Sequence, residues 1–191
     1  MAPRTPKTDA SRKKFLQAMD AAVGLLDHGP TMLTRAGLVA ASGLHLEWIR
    51  SYVGNDNDEI LATTINHILQ IFDTPFAHAT ILANPTPQEM GLATRKVLNV
   101  LLPKQHTHAM LWAIHLAPLP QRRPVERWVA DAFEPYAGGT WLGHGIVGVI
   151  TGKVEMQPPV KREVIRDVID KMTVAVLLFW KAHGNPNNHM A

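Results

Sequence analysis

Side chains that can hydrogen-bond to the edges of nucleic-acid bases cluster in the stretch from His45 to Tyr52. His45 can donate to a base or a phosphate, and Glu47 can accept from the amino group of a cytosine. Trp48 either contacts sugars and thymine methyl groups or anchors a small core. We favour the anchor, because large aromatic side chains usually stay in the cores of small domains. These residue types and their close spacing indicate a surface that reads DNA.

Basic side chains elsewhere in the chain offer contacts to DNA phosphates. Residues 1–14 contain five Lys and Arg residues against Asp9 alone, which suits an arm that follows the backbone or the minor groove. A solvated, disordered tail explains the same composition equally well. The candidate DNA contacts are Lys13, Lys14, Thr34, Arg35, His45, Leu46, Glu47, Trp48, Arg50, Ser51 and Tyr52.

Ten histidines suggest a metal site, but their spacing does not support one. His106 and His108 would point to different sides of a helix. His108 and His115 would share a face without an acidic partner, and so would His67 and His78. A zinc site on a helix normally combines two histidines four residues apart with a nearby acid. We therefore predict no metal and no other cofactor.

Catalytic motifs are absent from the sequence. There is no Gly-x-Ser-x-Gly elbow and no phosphate-binding loop. Residues 143–148 match Gly-x-Gly-x-x-Gly, but no clear strand precedes them, so we interpret the match as accidental. The sequence therefore predicts a protein that is not an enzyme.

Helical periodicity predicts the elements that must position the DNA-reading side chains. A first helix should begin at Ser11, a good N-cap, and end near His28. Thr34 can cap a second helix, and Gly43 permits the positive φ that a tight turn between helices often requires. A short third helix follows this turn. The pattern predicts a helix-turn-helix.

The remainder of the chain also has helical patterns. Asn57 or Asp58 can cap a fourth helix of about 20 residues, which should carry an apolar stripe as far as Phe76. Proline and glycine then separate segments near 87–102, 106–117, 122–135, 140–153 and 159–183. Residues 145–150 are rich in β-branched residues, but no segment alternates as a strand would. We predict an all-α protein of about nine helices.

The last helix has apolar side chains on more than one side, and each of these sides must be buried. From Thr173 to Trp180 it is apolar nearly all round. Its own core can cover one side and a second subunit another, which predicts a homodimer. The alternative is a central core helix of a monomer.

Apolar helices in the second half of the chain carry a few polar tips, as small-molecule sites generally do. An ordinary core of Met and Trp at helical spacing is the alternative. The candidate ligand-binding residues are His67, Met90, Met110, Trp112, His115, Trp128 and His144.

Cysteine and long apolar runs are both missing from the sequence. The lack of cysteine fits a reducing compartment. No stretch approaches 18 uninterrupted apolar residues, and the N-terminus carries no apolar run of signal-peptide type. We expect a cytoplasmic protein without a membrane segment.

The order of these features resembles the TetR family of transcriptional regulators over about residues 12–62. The shared features are a basic start, a first helix ending at Gly29, Thr34 at the second helix, Leu38 with Ser42–Leu44 at the turn, and Glu59–Leu61 on a long fourth helix. The resemblance implies a three-helix DNA-binding domain and a helical domain for ligand binding and dimerisation through the last two helices. It also implies a repressor whose partners are operator DNA and a small, largely apolar effector. We place a disordered basic arm at 1–10, the helix-turn-helix domain at 11–54 and the effector domain at 55–191.

Two departures from the family pattern motivate an alternative. Where the recognition helix of the family commonly ends in tyrosine and phenylalanine, this chain has Arg50 and Val53. Where the family usually has a lysine near the fourth helix, this chain has Asp56–Glu59, whose acids would repel a DNA backbone. Arg50 can still hold a phosphate. The alternative function is an interaction protein that keeps the fold, has lost DNA binding and modulates another regulator through protein contacts.

Overall fold

The structure is a computed structural model that describes residues 3–73, 86–133, 145–150, 152 and 161–183. Within these ranges the chain forms nine α-helical segments and two short 3-10 turns, and no strand. The predicted all-α class is confirmed, and residues 145–150 are helical despite their β-branched composition. None of the helices in these ranges is long and apolar enough to span a membrane.

The helices follow the predicted order. They are α1 (Asp9–Asp27), α2 (Arg35–Ser42), α3 (Leu46–Tyr52), α4 (Asn57–Leu69), α5 (Pro87–Leu101), α6 (Thr107–Leu116), α7 (Leu119–Phe133), α8 (145–150) and α9 (Arg162–His183). The 3-10 turns are Pro30–Met32 and Gln70–Asp73.

Helix α1 begins earlier than the sequence pattern predicted. Thr8, not Ser11, is the N-cap, and its hydroxyl accepts from the Ser11 N–H at 3.2 Å. The Ser11 hydroxyl accepts in return from the Thr8 N–H at 3.0 Å. This reciprocal capping box satisfies two amide donors at the helix start. Residues 9 and 10, which we had assigned to the disordered arm, therefore belong to the helix.

Helix α4 is shorter than predicted. It spans 13 residues and continues as the 3-10 turn, and Asp56 rather than Asn57 or Asp58 is its N-cap. The turn lets Phe72 pack edge-on against Trp128 of α7, with ring centroids 5.2 Å apart. A packing contact with another helix thus follows the end of the regular helix, which the apolar stripe alone did not reveal. Phe76 lies outside the described residues.

Helix α1 joins the N-terminal and C-terminal helices. It packs against α2, α4 and α6, and α4 packs on α6 as well. The buried core includes Met19, Leu38 and Ile49 in the first three helices and Leu98 and Ile114 in α5 and α6. A movement of α6 would therefore act directly on α1, and α1 is the helix against which the predicted helix-turn-helix packs.

Helix α9 packs on α5 with one side only. Thr173, Val176 and Trp180 are buried, whereas Val174 is 55% exposed and Leu178 is 63% exposed. A central core helix would be covered on every side, and α9 is not covered at these two residues.

Candidate nucleic-acid interface and ligand pocket

The turn between α2 and α3 has the predicted local geometry. The Thr34 hydroxyl accepts from the Gly37 N–H at 3.0 Å and caps α2. Gly43 ends this helix with φ 67, in the left-handed region that glycine adopts without strain. The Gln17 side chain donates to the Ser42 carbonyl at 2.7 Å and ties α1 to the turn. The turn that leads into α3 is thereby attached to α1.

One side of α3 is buried, and the residues at the N-terminal end of its other side are exposed. Ile49 is buried, while His45, Leu46 and Glu47 are exposed. Trp48 is partly buried against the core and stacks on Tyr52, with centroids 4.8 Å apart. The preference for Trp48 as an anchor agrees with this packing, and the N-terminal end of α3 is free to enter a groove.

Arg50 is occupied within α3. Its guanidinium contacts the Glu47 carboxylate at 3.0 Å, and both side chains are largely exposed. An exposed pair of this spacing stabilises a helix only weakly. A DNA phosphate can therefore compete with Glu47 for Arg50. The Glu47 carboxylate is itself negatively charged, however, and would repel that phosphate.

The basic N-terminal segment lies beside α3. The Arg4 N–H donates to the Ser51 carbonyl at 2.8 Å, which holds this segment at the end of the helix. Lys13 and Lys14 are exposed on α1, and Arg12 is 3.7 Å from Asp9. The arm and α3 are thus adjacent, as a joint contact to DNA requires.

Arg35 and two of the three acids near α4 have partners inside the chain. The Arg35 guanidinium donates to the Asn55 carbonyl at 2.5 Å. Asp56 accepts from the Glu59 N–H at 2.8 Å, and the Glu59 carboxylate accepts from the Asn55 N–H at 2.7 Å. The N-terminal dipole of α4 stabilises these carboxylates. Asp58 remains exposed on the first turn.

The ligand-binding residues predicted from the sequence that the structure describes lie on α4, α5, α6 and α7. Met90, Met110 and Trp128 are buried in the core. Trp112 meets the exposed His115 ring edge-on at 6.2 Å. His144 lies outside the described residues.

His67, also predicted to bind a ligand, lies between α4 and α1. Its ring packs edge-on against Phe15 with centroids 6.1 Å apart. Burial lowers the pKa of the His67 imidazole below 6.5, against the opposing effect of Asp20. Desolvation disfavours the charged ring, so His67 is neutral at neutral pH and serves the α1–α4 contact.

A pocket of about 490 Å³ opens between the end of α5, the segment that leads into α6 and the first turns of α9. Its volume is within the range of small-molecule sites. Sequence patterns missed it, because its residues come from three separated segments. The lining residues are Arg95, Asn99, Leu102, Pro103, Lys104, Gln105, Thr107, Ile165, Arg166 and Ile169.

Two buried nitrogen atoms in the described ranges lack a hydrogen-bond partner. They are Trp180 Nε1 and Arg122 Nε. Unpaired buried donors are costly and often mark places where a ligand or water binds. Neither residue was a candidate from the sequence. In the same ranges no cluster of three or more His, Cys, Asp or Glu side chains is arranged to hold a metal ion.

Asp27, the last residue of α1, connects the N-terminal helices to α6. Its carboxylate accepts from the Ala109 N–H at 3.0 Å and lies 3.8 Å from the His106 ring. His106 is the N-cap of α6 but makes no side-chain cap, so Asp27 supplies an acceptor that the helix start lacks. His106 also has φ 56, a strained conformation for a residue with a side chain.

No protein-family profile matches the sequence, and no curated protein is similar to it. The solved structures that share its fold include the following two. A TetR transcriptional regulator from Agrobacterium tumefaciens is 18% identical, with a TM-score of 0.59 over 93% of this chain and 97% of the other. A Clostridium perfringens putative fatty acid metabolism regulator is 13% identical, with a TM-score of 0.51 over 84% of this chain and 96% of the other.

At these identities the similarity concerns the fold. The chain has the fold of TetR transcriptional regulators over most of its length. The fold implied by the sequence resemblance is therefore confirmed.

Proposed function

We propose that this chain is a TetR-type transcriptional repressor that binds operator DNA as a homodimer and is released by a small, largely apolar ligand. The observation that carries the proposal is the capped, glycine-turned pair α2–α3, whose second helix exposes His45, Leu46 and Glu47. The similarity to solved regulators over most of the chain supports it.

In this proposal the start of α3 enters the major groove. Helices of this kind place their N-terminal residues against base edges. Arg50 and the segment around Arg4 then hold phosphates on either side, since the Arg4 backbone is bonded to α3 itself. Lys13 and Lys14 extend this basic surface along α1.

The homodimer in this proposal forms through α8 and α9. Val174 and Leu178 lie one turn apart on α9 and are more than half exposed, and Val149 on α8 is 49% exposed. Burying apolar side chains of this size against a second copy is favourable. A twofold axis would place two α3 helices where they can meet two half-sites.

Release by a ligand would follow from a shift in population. An effector that binds better to a state in which the two α3 helices no longer match their half-sites lowers the affinity for DNA. Helix α6 is suited to transmit such a change, because it packs against α1 and α4 together.

The alternative is an interaction protein that has lost DNA binding. The Arg50–Glu47 pair and the exposed Asp58 favour it, because both reduce attraction to phosphates. In that case the protein would act on another regulator through its surface helices.

A mobility-shift assay with the DNA upstream of its own gene, at low and moderate salt, separates the two functions. The regulator binds this DNA, and the interaction protein does not. Arg50→Ala combined with deletion of residues 1–7 should weaken binding and flatten its salt dependence, while leaving the Thr8 cap of α1 in place. Arg127→Ala, an exposed arginine on α7, is the matched control. Equal binding by the variant and the control would contradict these contacts.

A further inference from the structure

We propose that the pocket between α5, the 103–107 segment and α9 binds an amphipathic organic anion, and that its occupancy acts on α1 through Asp27. The regulatory consequence rests on the proposed function, whereas the binding itself does not. The predicted ligand residues in the core contribute nothing to this pocket. It is therefore a second, separate place for an effector.

The lining of the pocket combines an apolar floor with a cationic rim. Leu102, Ile165 and Ile169 supply aliphatic surface, and Leu102 and Ile169 are buried. Arg95, Lys104 and Arg166 supply positive charge, and among the residues that the structure describes the lining includes no carboxylate. An apolar body with one anionic group matches both parts, because the body covers the floor and the head pairs with the rim.

The charges on the rim are available to a ligand. Arg95 is held by Asp170 of α9, with 2.7 Å between nitrogen and oxygen. In the parts of the chain that the structure describes, neither Lys104 nor Arg166 forms an ion pair. Asp170 thus offsets one of the three cations and fixes the Arg95 guanidinium at the edge. Lys104 and Arg166 remain to attract an anion.

The same segment that lines the pocket also begins the link to α1. Pro103, Lys104 and Thr107 line the pocket, and the Thr107 hydroxyl donates back to the Pro103 carbonyl. His106, between them, has the strained left-handed backbone and faces Asp27. A ligand that pulls on Lys104 therefore acts on a strained residue whose neighbours hold the end of α1.

Besides the packing of α6 on α1, one carboxylate links the two helices by a hydrogen bond. Asp27 binds the Ala109 N–H and approaches His106, so both ends of the first turn of α6 meet at its oxygens. When Lys104 moves toward a bound anion, this turn and Asp27 must move together or separate. The first outcome shifts the end of α1 beneath α2 and α3, and the second releases it from this hydrogen bond to α6.

Binding is tested by calorimetric titration of the full chain with naphthalene-2-carboxylate in the absence of DNA. Naphthalene-2-carboxamide has the same shape without the charge, and acetate has the charge without the apolar body. We expect the carboxylate to bind roughly tenfold more tightly than either, as one charge-assisted hydrogen bond provides. Equal binding of the carboxylate and the amide would overturn the assignment.

Variants locate the site. Lys104→Gln and Arg166→Gln should each weaken binding of the carboxylate roughly tenfold. Lys161→Gln, an exposed lysine just before α9 that does not line the pocket, should leave it unchanged. Equal loss in all three variants would show general charge attraction and would overturn the site. Unfolding curves of each variant verify that it is folded.

Transmission is tested by hydrogen exchange of backbone amides, again without DNA. Naphthalene-2-carboxylate should change exchange both in residues 103–110 and in the last turns of α1. In Asp27→Ala, which removes the acceptor of the Ala109 N–H, the change in 103–110 should persist, while that in α1 is lost. An undiminished response of α1 in this variant would overturn the route through Asp27.

The proposed function and this site fail separately. If the chain binds the carboxylate through Lys104 and Arg166 but does not shift promoter DNA, the anion site is supported and the proposed regulatory function is contradicted. If the chain shifts DNA but does not bind the carboxylate, the proposed regulatory function is supported and the anion site is contradicted. If Lys104→Gln and Arg166→Gln weaken DNA binding with no ligand present, these cations contact DNA, and the anion site is wrong.

Discussion

The Asp27 carboxylate, at the end of α1, accepts a hydrogen bond from the Ala109 N–H at 3.0 Å and so caps α6 from a different helix. The two residues are 82 positions apart in the chain. A cap normally comes from the residue that precedes the helix, but His106 supplies no side-chain bond there. This single contact therefore serves both the stability of α6 and its attachment to α1.

Asp27→Ala should lower the free energy of unfolding by about 1–2 kcal/mol, the usual effect of losing a helix cap. Asp27→Asn keeps an acceptor and should cost less. Asp73→Ala removes an exposed carboxylate at the end of a 3-10 turn and serves as the control. Urea denaturation of the four proteins measures the difference. A loss no larger for Asp27→Ala than for Asp73→Ala would mean that the contact stabilises nothing.

Gly54 and Gly24 should respond in opposite directions to substitution by alanine. A Cβ at Gly54 would lie 2.7 Å from the Ile60 backbone nitrogen, so the α3–α4 turn must shift. We expect Gly54→Ala to destabilise the fold by about 1–3 kcal/mol. A Cβ at Gly24 meets nothing within 4 Å, and Gly24→Ala should stabilise α1 by about 0.5–1 kcal/mol. Thermal unfolding measures the change in stability of both variants. A change of the same sign in both would contradict the prediction.

His67 should make the fold less stable in mild acid. Its pKa in the folded chain lies below 6.5, because burial disfavours the imidazolium. The unfolded chain thus binds a proton first as the pH falls through 6.5, and stability is lost from there down to the folded pKa.

His67→Gln should flatten the fall in unfolding free energy between about pH 7.5 and about pH 5.5. His115→Gln, at an exposed ring, is the matched control. Identical slopes for wild type and His67→Gln would rule out this role.

Glu47 should restrain DNA binding by occupying Arg50. Glu47→Gln removes the carboxylate 3.0 Å from the guanidinium and frees Arg50 for a phosphate. The slope of log affinity against log salt should then steepen by roughly 1, the effect of about one added phosphate contact. Glu163→Gln, an exposed acid at the start of α9, controls for net charge. If the two variants gain affinity equally, Arg50 does not contact the DNA.

Leu178 should stabilise a dimer. Leu178→Arg places a charge in the middle of the exposed apolar face of α9 and should shift the chain toward monomers, since an unpaired charge is costly to bury. Leu16→Arg, at a leucine of α1 that is 54% exposed, is the control. Sedimentation velocity over a range of concentrations distinguishes the two. A dimer that persists in Leu178→Arg would place the interface elsewhere.

Local features were predictable from the sequence by itself. Thr34 caps α2 and Gly43 ends it, because capping and positive φ depend on one residue and its nearest neighbours. The all-helical class and the order of helices followed from apolar periodicity and from the prolines and glycines between segments. The resemblance in residues 12–62 extended this to the correct fold.

Tertiary structure decided what depends on distant partners. It placed Phe72, just beyond the end of α4, against Trp128, and it capped α6 with Asp27. It also brought Arg95, Lys104 and Arg166 to one pocket, while the predicted Met and Trp residues went to the core. The physical reason is that burial and pairing are properties of surfaces that meet only after folding, whereas periodicity records only which side of each helix is apolar.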